Sequence, residues 1–233
     1  KVPIVWLPKN PQWKNYVDVL QKYRFASYYK NTAFVTVTTV IFQLMTCSMG
    51  AYAFARLDFR GKNAMFLVCR AVLMVPRQMI IIPRLIMTMR LGWLNSFAGI
   101  IIPNLPSIYG VFFLRQNFMT LPRELDEAAM IDGRSFFGIY WRILLPLLKN
   151  GLIQFGVRTP LWSWNEILWP VFVTSKQSLY VLSIALANMQ GQYAQKIPTQ
   201  MAAGVLAMAP MLLVFLIGQK QMLEGIALSS IKA

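Results

Sequence analysis

The 233-residue sequence has no histidine, 8 acidic residues and 2 cysteines, and charged side chains make up only 13% of it. Absence of histidine removes the group most used for proton transfer near neutral pH and for metal ligation. Catalysis would have to come from carboxylates, lysine or cysteine, and no carboxylate pair, Ser/Cys–His arrangement or metal cluster is visible. Cys47 and Cys69 both fall inside apolar runs without the spacing of a metal or redox motif, so they read as packing residues. A soluble domain carries roughly a quarter of its residues charged. An ordinary cytosolic enzyme is therefore excluded, and no catalytic residue, metal site or bound cofactor is expected of this chain.

What is present is apolar length. Hydrophobic residues reach 57% and the mean hydropathy is +0.49, the composition of a polytopic membrane protein. The 23 Lys and Arg leave a net charge of +15, which could suggest phosphate neutralisation. They lie mainly in short segments between apolar runs, so no nucleic-acid partner is expected. About 20 apolar residues cross a ~30 Å hydrocarbon layer as a helix. Asn31 to Ala55, Leu91 to Leu114 and Ile197 to Gln219 meet that length without charge, and two more stretches meet it with ionisable residues inside. These are Ala64 to Pro83, with Arg70 and Arg77, and Gly151 to Thr174, with Arg158 and Glu166.

The expected fold is all-α: one polytopic domain over residues 1–233 with five visible transmembrane helices and the lipid bilayer as its first partner. Ser178 to Gln190 is too short and polar to cross and suits a helix along the membrane surface. Residues 1–30 carry Pro3, Pro8, Pro11 and the aromatics Trp6, Trp13, Tyr16, Tyr23, Tyr28 and Tyr29, and read as an interfacial lead-in with rings at headgroup level. Counting Lys and Arg on either side of five spans gives a tie, so charge alone does not orient the chain.

Four of the eight acids crowd between Glu124 and Asp132, in the longest connection between spans, residues 117–150. Thr120 is expected to cap a helix whose first turn accepts Pro122 and whose acids sit near its positive end. Gly133 is the expected stop. Ser135 can cap a second short helix that Pro146 ends. Leu121, Leu125, Ala128 and Ala129 share one face, where the alanines would let a partner approach closely.

Glu127-Ala128-Ala129, Gly133 four positions after Ala129, then Ile143 and Leu145-Pro146 resemble the full EAA signature of the membrane subunits of bacterial ABC importers. Ala51-Tyr52-Ala53-Phe54-Ala55-Arg56, Val75-Pro76, Trp164-Asn165-Glu166 with Trp169-Pro170, and Glu224-Gly225 resemble the carbohydrate-importer branch and its MalG-like permeases, from about Asn31 to the C-terminus. The resemblance implies that the loop is cytoplasmic and docks as a coupling helix on an ATP-binding subunit, with Glu127, Ala128, Ala129, Asp132, Gly133, Ile143, Leu145 and Pro146 as the ATPase-coupling residues. It also implies a sixth span before Lys1, a periplasmic placement for residues 1–30, and location in the bacterial inner membrane. The partners implied are a distinct, MalF-like second permease, two ATP-binding subunits that hold ATP and Mg, and a periplasmic solute-binding protein. The chain itself lacks a Walker-type phosphate loop, so ATP hydrolysis is expected on the partners.

Charges within apolar spans usually face a partner or a watery path. Arg77 lies between Pro76 and Pro83, in a helix the prolines interrupt, and interrupted helices often line a pathway. Arg158 stands where the family pattern usually has an apolar residue. Arg77, Arg158, Trp164, Asn165 and Glu166 are the candidate substrate-pathway residues, and an excess of cations points to an acidic oligosaccharide. Snorkelling of Arg70 and Arg158 to headgroups and interfacial packing of the tryptophans are the alternatives. An ion-coupled secondary transporter would usually need embedded acids or histidine, and this chain offers only Glu166. A permease of the same family for a non-sugar solute is the remaining alternative.

Overall fold

The computed structural model describes residues 11–22, 24–192 and 196–230, and the regular structure among them is helical. Helix α1 (Lys14–Lys22) is followed by α2 (Phe25–Arg56), a helix of 32 residues without a break. At 1.5 Å per residue α2 is about 48 Å long, more than a bilayer's hydrocarbon core. It starts six residues ahead of the expected Asn31, because Phe25 and Tyr28 are buried against later helices instead of lying among headgroups. Residues 1–10, Tyr23 and the side chain of Glu224 lie outside the described residues.

The expected span Ala64 to Pro83 is a broken pair. Helix α3 (Lys62–Leu73) meets the segment Arg77–Arg90, a 3-10 turn followed by α4 (Ile81–Arg90), at 102°. Pro76 has no N–H to donate and disfavours helical geometry in the residue before it, which places the break at Met74 to Pro76. Pro83 sits in the first turn of α4, where a missing donor costs nothing. The next expected span is also bent, by 41°, between Phe97–Asn104, which begins as α5 (Phe97–Ile101), and α6 (Ile108–Met119).

After the polar loop, α10 (Lys149–Asn165) stops before Glu166 and is followed by α11 (Leu168–Val173), so Gly151 to Thr174 is likewise two pieces. Helix α12 (Leu182–Gln192) and α13 (Ile197–Ser230) follow. The regions Phe25–Arg56 and Ile197–Gln219 are long and apolar enough to cross alone, and the count rises to five if each of three bent pairs is one span. The third pair is Phe136–Leu147 with Lys149–Asn165, which begins in the polar loop and not at the expected Gly151. Helix α12 differs from the expected surface helix. Leu182, Ile184, Ala185 and Met189 are buried, and the Leu182 N–H donates to Thr32 Oγ1 at 2.8 Å, so it packs against α2 and α13.

Three apolar clusters follow α2 along its length. One joins Phe25 and Tyr28 to α12 and α13, a second joins Val35 to α5, α11 and α12, and a third joins Cys47, Ala51, Tyr52 and Ala55 to α6, α10 and the polar loop. Cys47 is a packing residue, as expected. Its neighbour Gly110 marks the closest approach: a Cβ there would lie 2.5 Å from Phe155 Cζ and 2.9 Å from Cys47 Sγ. Without water to drive association, such small-residue contacts are what hold membrane helices together. Gly110→Val is expected to destabilise by about 1–3 kcal/mol through overpacking, read as a lower Tm of the purified complex. An unchanged Tm would show that α2, α6 and α10 do not meet closely at this level.

Candidate functional site

The polar loop folds as two helices around a glycine turn. Helix α7 (Glu124–Ile131) is closed by hydrogen bonds from Gly133 N–H to Met130 O and from Arg134 N–H to Ala129 O, both 3.0 Å. Those two bonds with a left-handed Gly133 (φ 75°) form a Schellman stop. Ser135 Oγ then accepts from Gly138 N–H at 3.2 Å and caps α8 (Phe136–Ile139). The expected start differs. Thr120 ends α6 and its hydroxyl donates back to Asn117 O, while α7 begins after Arg123 without a side-chain cap. Three acids in its first turn, Glu124, Asp126 and Glu127, complement the free N–H groups instead.

Pro146 does not end the second helix. A π-helical segment, Tyr140–Leu144, leads into α9 (Leu145–Leu147), and the break comes at Leu148, where the chain bends 78° into α10. Pro146 cannot donate to the carbonyl one turn earlier, and the looser π spacing lies in the turn whose acceptors that leaves free. Of the signature residues, Ala129 is buried and Ile143 and Leu145 are half-buried toward the third cluster, so only part of the expected alanine face looks outward. Glu127, Ala128, Asp132, Gly133 and Pro146 are exposed, and around the turn Ile131, Phe136 and Phe137 are exposed too.

Arg56, the last residue of α2, ties this loop to the spans. Its Nη2 donates to Phe118 O at 2.8 Å and Leu121 O at 2.7 Å, carbonyls at the end of α6, and its Nη1 lies 3.2 Å from Asp126 Oδ2. The two side chains are only 5% and 11% exposed. Burial pushes the Asp126 carboxyl above its ordinary range, with Arg56 and Arg123 pulling it the other way. Tyr52, one turn before Arg56, donates from its hydroxyl to Phe136 O at 3.1 Å and so ties α2 to the second short helix as well. Nothing in the sequence pairs Arg56 with Asp126 specifically, although a cation closing an apolar run before an acidic loop was the available signal.

A second group of charges lies at mid-length of α2. Gln43 Nε2 donates to Asn104 O at 2.6 Å, and Arg84 Nη2 donates to Asn104 Oδ1 at 2.7 Å. Arg84 is stacked 4.0 Å above the Trp169 ring, whose Nε1 donates to Gly99 O at 3.0 Å. Glu166 Oε1 accepts from the Trp169 N–H at 3.2 Å and is electrostatically coupled to Arg77 and Arg84. Arg77 sits 4.2 Å over Trp162 and Arg158 3.9 Å over Tyr109. Arg158, Trp162 and Glu166 are spaced four residues apart, so they follow one face of α10 to its end.

Trp164 and Asn165 stand apart from that row. Trp164 is buried, donates from Nε1 to Ala207 O at 3.0 Å and meets Tyr29 edge-on, while Asn165 Nδ2 donates to Leu161 O at 2.7 Å. Arg70 lies 5.9 Å over Phe66. Arg84, Gln43 and Asn104 are absent from the sequence candidates because Arg84 follows Pro83, the expected end of a span. Its separation from Arg77 by two helical turns was the usable signal.

Residues 44–224 match the family described as "Binding-protein-dependent transport system inner membrane component". The chain is 31% identical over 206 residues to the arabinooligosaccharides transport system permease protein AraQ of Halalkalibacterium halodurans, covering 88% of this chain and 74% of that protein. It is 32% identical over 241 residues to the sn-glycerol-3-phosphate transport system permease protein UgpE of Yersinia enterocolitica, covering 97% of this chain and 83% of that one. A solved bacterial ABC transporter involved in import of the acidic polysaccharide alginate shares the fold with a TM-score of 0.82 and 24% identity, over 92% of this chain and 81% of that one.

Removing one member of a buried ion pair leaves the other uncompensated and costs about 3–5 kcal/mol. Arg56→Ala, which also frees two carbonyls, should therefore increase proteolysis of residues 120–135 in the purified complex more than Asp126→Ala does. Equal, wild-type cleavage in both variants would show that the loop is held by packing alone.

Proposed function

We infer the function from the family to which this chain belongs, the inner-membrane components of binding-protein-dependent transport systems. The chain is a multi-pass permease subunit of an ABC importer. Such a subunit is not itself an enzyme, and it works with a second permease, an ATPase and a solute-binding protein. The finer assignment is that it forms half of a carbohydrate pathway beside a distinct, MalF-like permease, with ATP and Mg held on two ATP-binding subunits.

The observation that carries the coupling role is the turn at Gly133, flanked by exposed Ile131, Phe136 and Phe137 and joined to α2 through Arg56. A short helix with apolar side chains beside a tight stop suits insertion into a groove of the ATPase. Glu127, Ala128 and Asp132 would contact the partner, whereas Ala129, Ile143 and Leu145 would seat the loop against the spans. Closure and opening of the ATPases would then move α2, α6 and α10 between inward-open and outward-open arrangements.

For the solute, the row Arg158, Trp162 and Glu166 with Arg77 stacked on it would line the pathway, and Arg84 extends it. Trp164 and Asn165 would serve by holding α10 in place. Relatives named for an arabinooligosaccharide and for sn-glycerol-3-phosphate support a sugar or phosphorylated polyol. The excess of cations over the single Glu166 favours an acidic saccharide.

Gly133→Val places a β-branched residue in the left-handed region, where only glycine rests without strain. It is expected to leave the permease in the membrane while uncoupling uptake from ATP hydrolysis in proteoliposomes. Wild-type coupling would remove the assignment of this turn. Arg77→Ala should reduce uptake of acidic oligosaccharides by about tenfold or more, the loss of roughly 1.4 kcal/mol of charge-assisted contact, and spare neutral ones. Equal loss for both would discard the acidic reading.

A further inference from the structure

We propose that the C-terminal end of α2 carries a binding site for the phosphate headgroup of an anionic phospholipid, beside the coupling loop and apart from the solute pathway. A cavity of about 530 Å³ opens there between the α2–α3 connection and the α6–α7 connection. Four cations line it, Arg56, Lys62, Arg115 and Arg123, against one acid, Asp58. Lys62 Nζ lies 3.3 Å from Asp58 Oδ1 and Arg56 Nη1 lies 3.2 Å from Asp126 Oδ2, so two of the four cations are paired and Arg115 and Arg123 carry the uncompensated charge.

The four cations are not equivalent. Arg56 is turned toward Asp126 and the α6 carbonyls, and Arg115 donates from Nε to Phe54 O at 3.1 Å while stacking 4.0 Å over Phe66. Both are fixed in place, and with Arg56 paired to Asp126 it is Arg115 that gives the cavity a preorganised positive wall. Arg123 is the exposed cation at its mouth, and Lys62, paired with Asp58, lies deeper. The same mouth contains the start of α3, a 12-residue helix with no side-chain cap and no acid in its first turn. Its free N–H groups add partial positive charge where an anion would sit.

Location decides between possible anions. Arg56 ends a helix long and apolar enough to cross a membrane, so a cavity at that end can face the headgroups. From its rim, α3 presents exposed Met65, Val68 and Val72, spaced as one helical stripe that an acyl chain can follow. A free phosphate would use the cations but not that stripe. Basic pockets between membrane helices are a known kind of headgroup site, with about 1 kcal/mol per cation.

The intact importer complex can be reconstituted into vesicles of equimolar phosphatidylcholine and phosphatidylglycerol, with a trace of phosphatidylglycerol bearing a photoreactive group near the headgroup. Labelled peptides are then mapped by mass spectrometry. Labelling is expected within residues 57–73 and 115–123 and not with the matching photoreactive phosphatidylcholine. The double variant Lys62→Gln, Arg123→Gln should lower it about thirtyfold, two cations at roughly fivefold each. Asp58→Asn, which keeps every cation, should raise it, so the proposal stands on more than a loss. Excess inorganic phosphate should leave labelling in place. Unchanged labelling in the double variant, equal labelling by the neutral lipid, or displacement by free phosphate would each overturn the proposal. Loss of ATP-binding subunits from the double variant with lipid labelling intact would also overturn it, because the cations would then serve an acidic protein partner.

Discussion

Backbone amides inside a bilayer have no water to bond, and that constraint organises this chain. A helix can cross alone only if it runs without interruption, as Phe25–Arg56 and Ile197–Gln219 do. Wherever proline or a polar group interrupts a span, the freed groups must find partners inside the protein. The broken segments accordingly gather against α2: Asn104 O accepts from Gln43, and Thr32 Oγ1 accepts from the Leu182 N–H. The straight helix satisfies the bent ones, so α2 serves as a spine for three successive clusters.

That arrangement separates two chemistries along one helix. Near its middle, Gln43 begins a polar network through Asn104 to Arg84 and on to Trp169 and Glu166. At its end, 13 residues or about 20 Å further along, Arg56 grips the α6 carbonyls and Asp126. The loop and the mid-length polar network therefore share one helix as their support. Helix α2 is thus gripped at two levels, by charge-assisted hydrogen bonds from Arg56 at its end and by a neutral amide hydrogen bond from Gln43 near its middle.

Much of this was legible in the residues. Length and apolar runs identify a polytopic helical protein, and proline positions locate the interruption beside Arg77. Gly133 and Ser135 predict the stop and the restart of the loop helices, because these are local backbone preferences that need no tertiary partner. Thr120 misleads because its hydroxyl had two uses, capping forward or bonding back to Asn117, and local sequence does not rank them. Pro146 misleads because a proline near the end of a helix can be absorbed by a π turn as readily as it can terminate it.

The sequence by itself determined which segments are apolar enough for a membrane, that prolines interrupt the chain beside Arg77, and that the loop between Glu124 and Gly133 differs from every other connection. Those are properties of composition and short-range sterics. Only the tertiary structure decided that α12 packs inward, that Trp164 is occupied in holding helices together, and that Arg84 joins the row of charges. Each of those depends on which side chain lies opposite, and partners such as Arg56 and Asp126 are brought together by helices that separate them along the chain. The four cations that surround the cavity at the end of α2 come from two stretches far apart in the sequence, residues 56–62 and 115–123. Their common field exists only after the two connections are folded side by side.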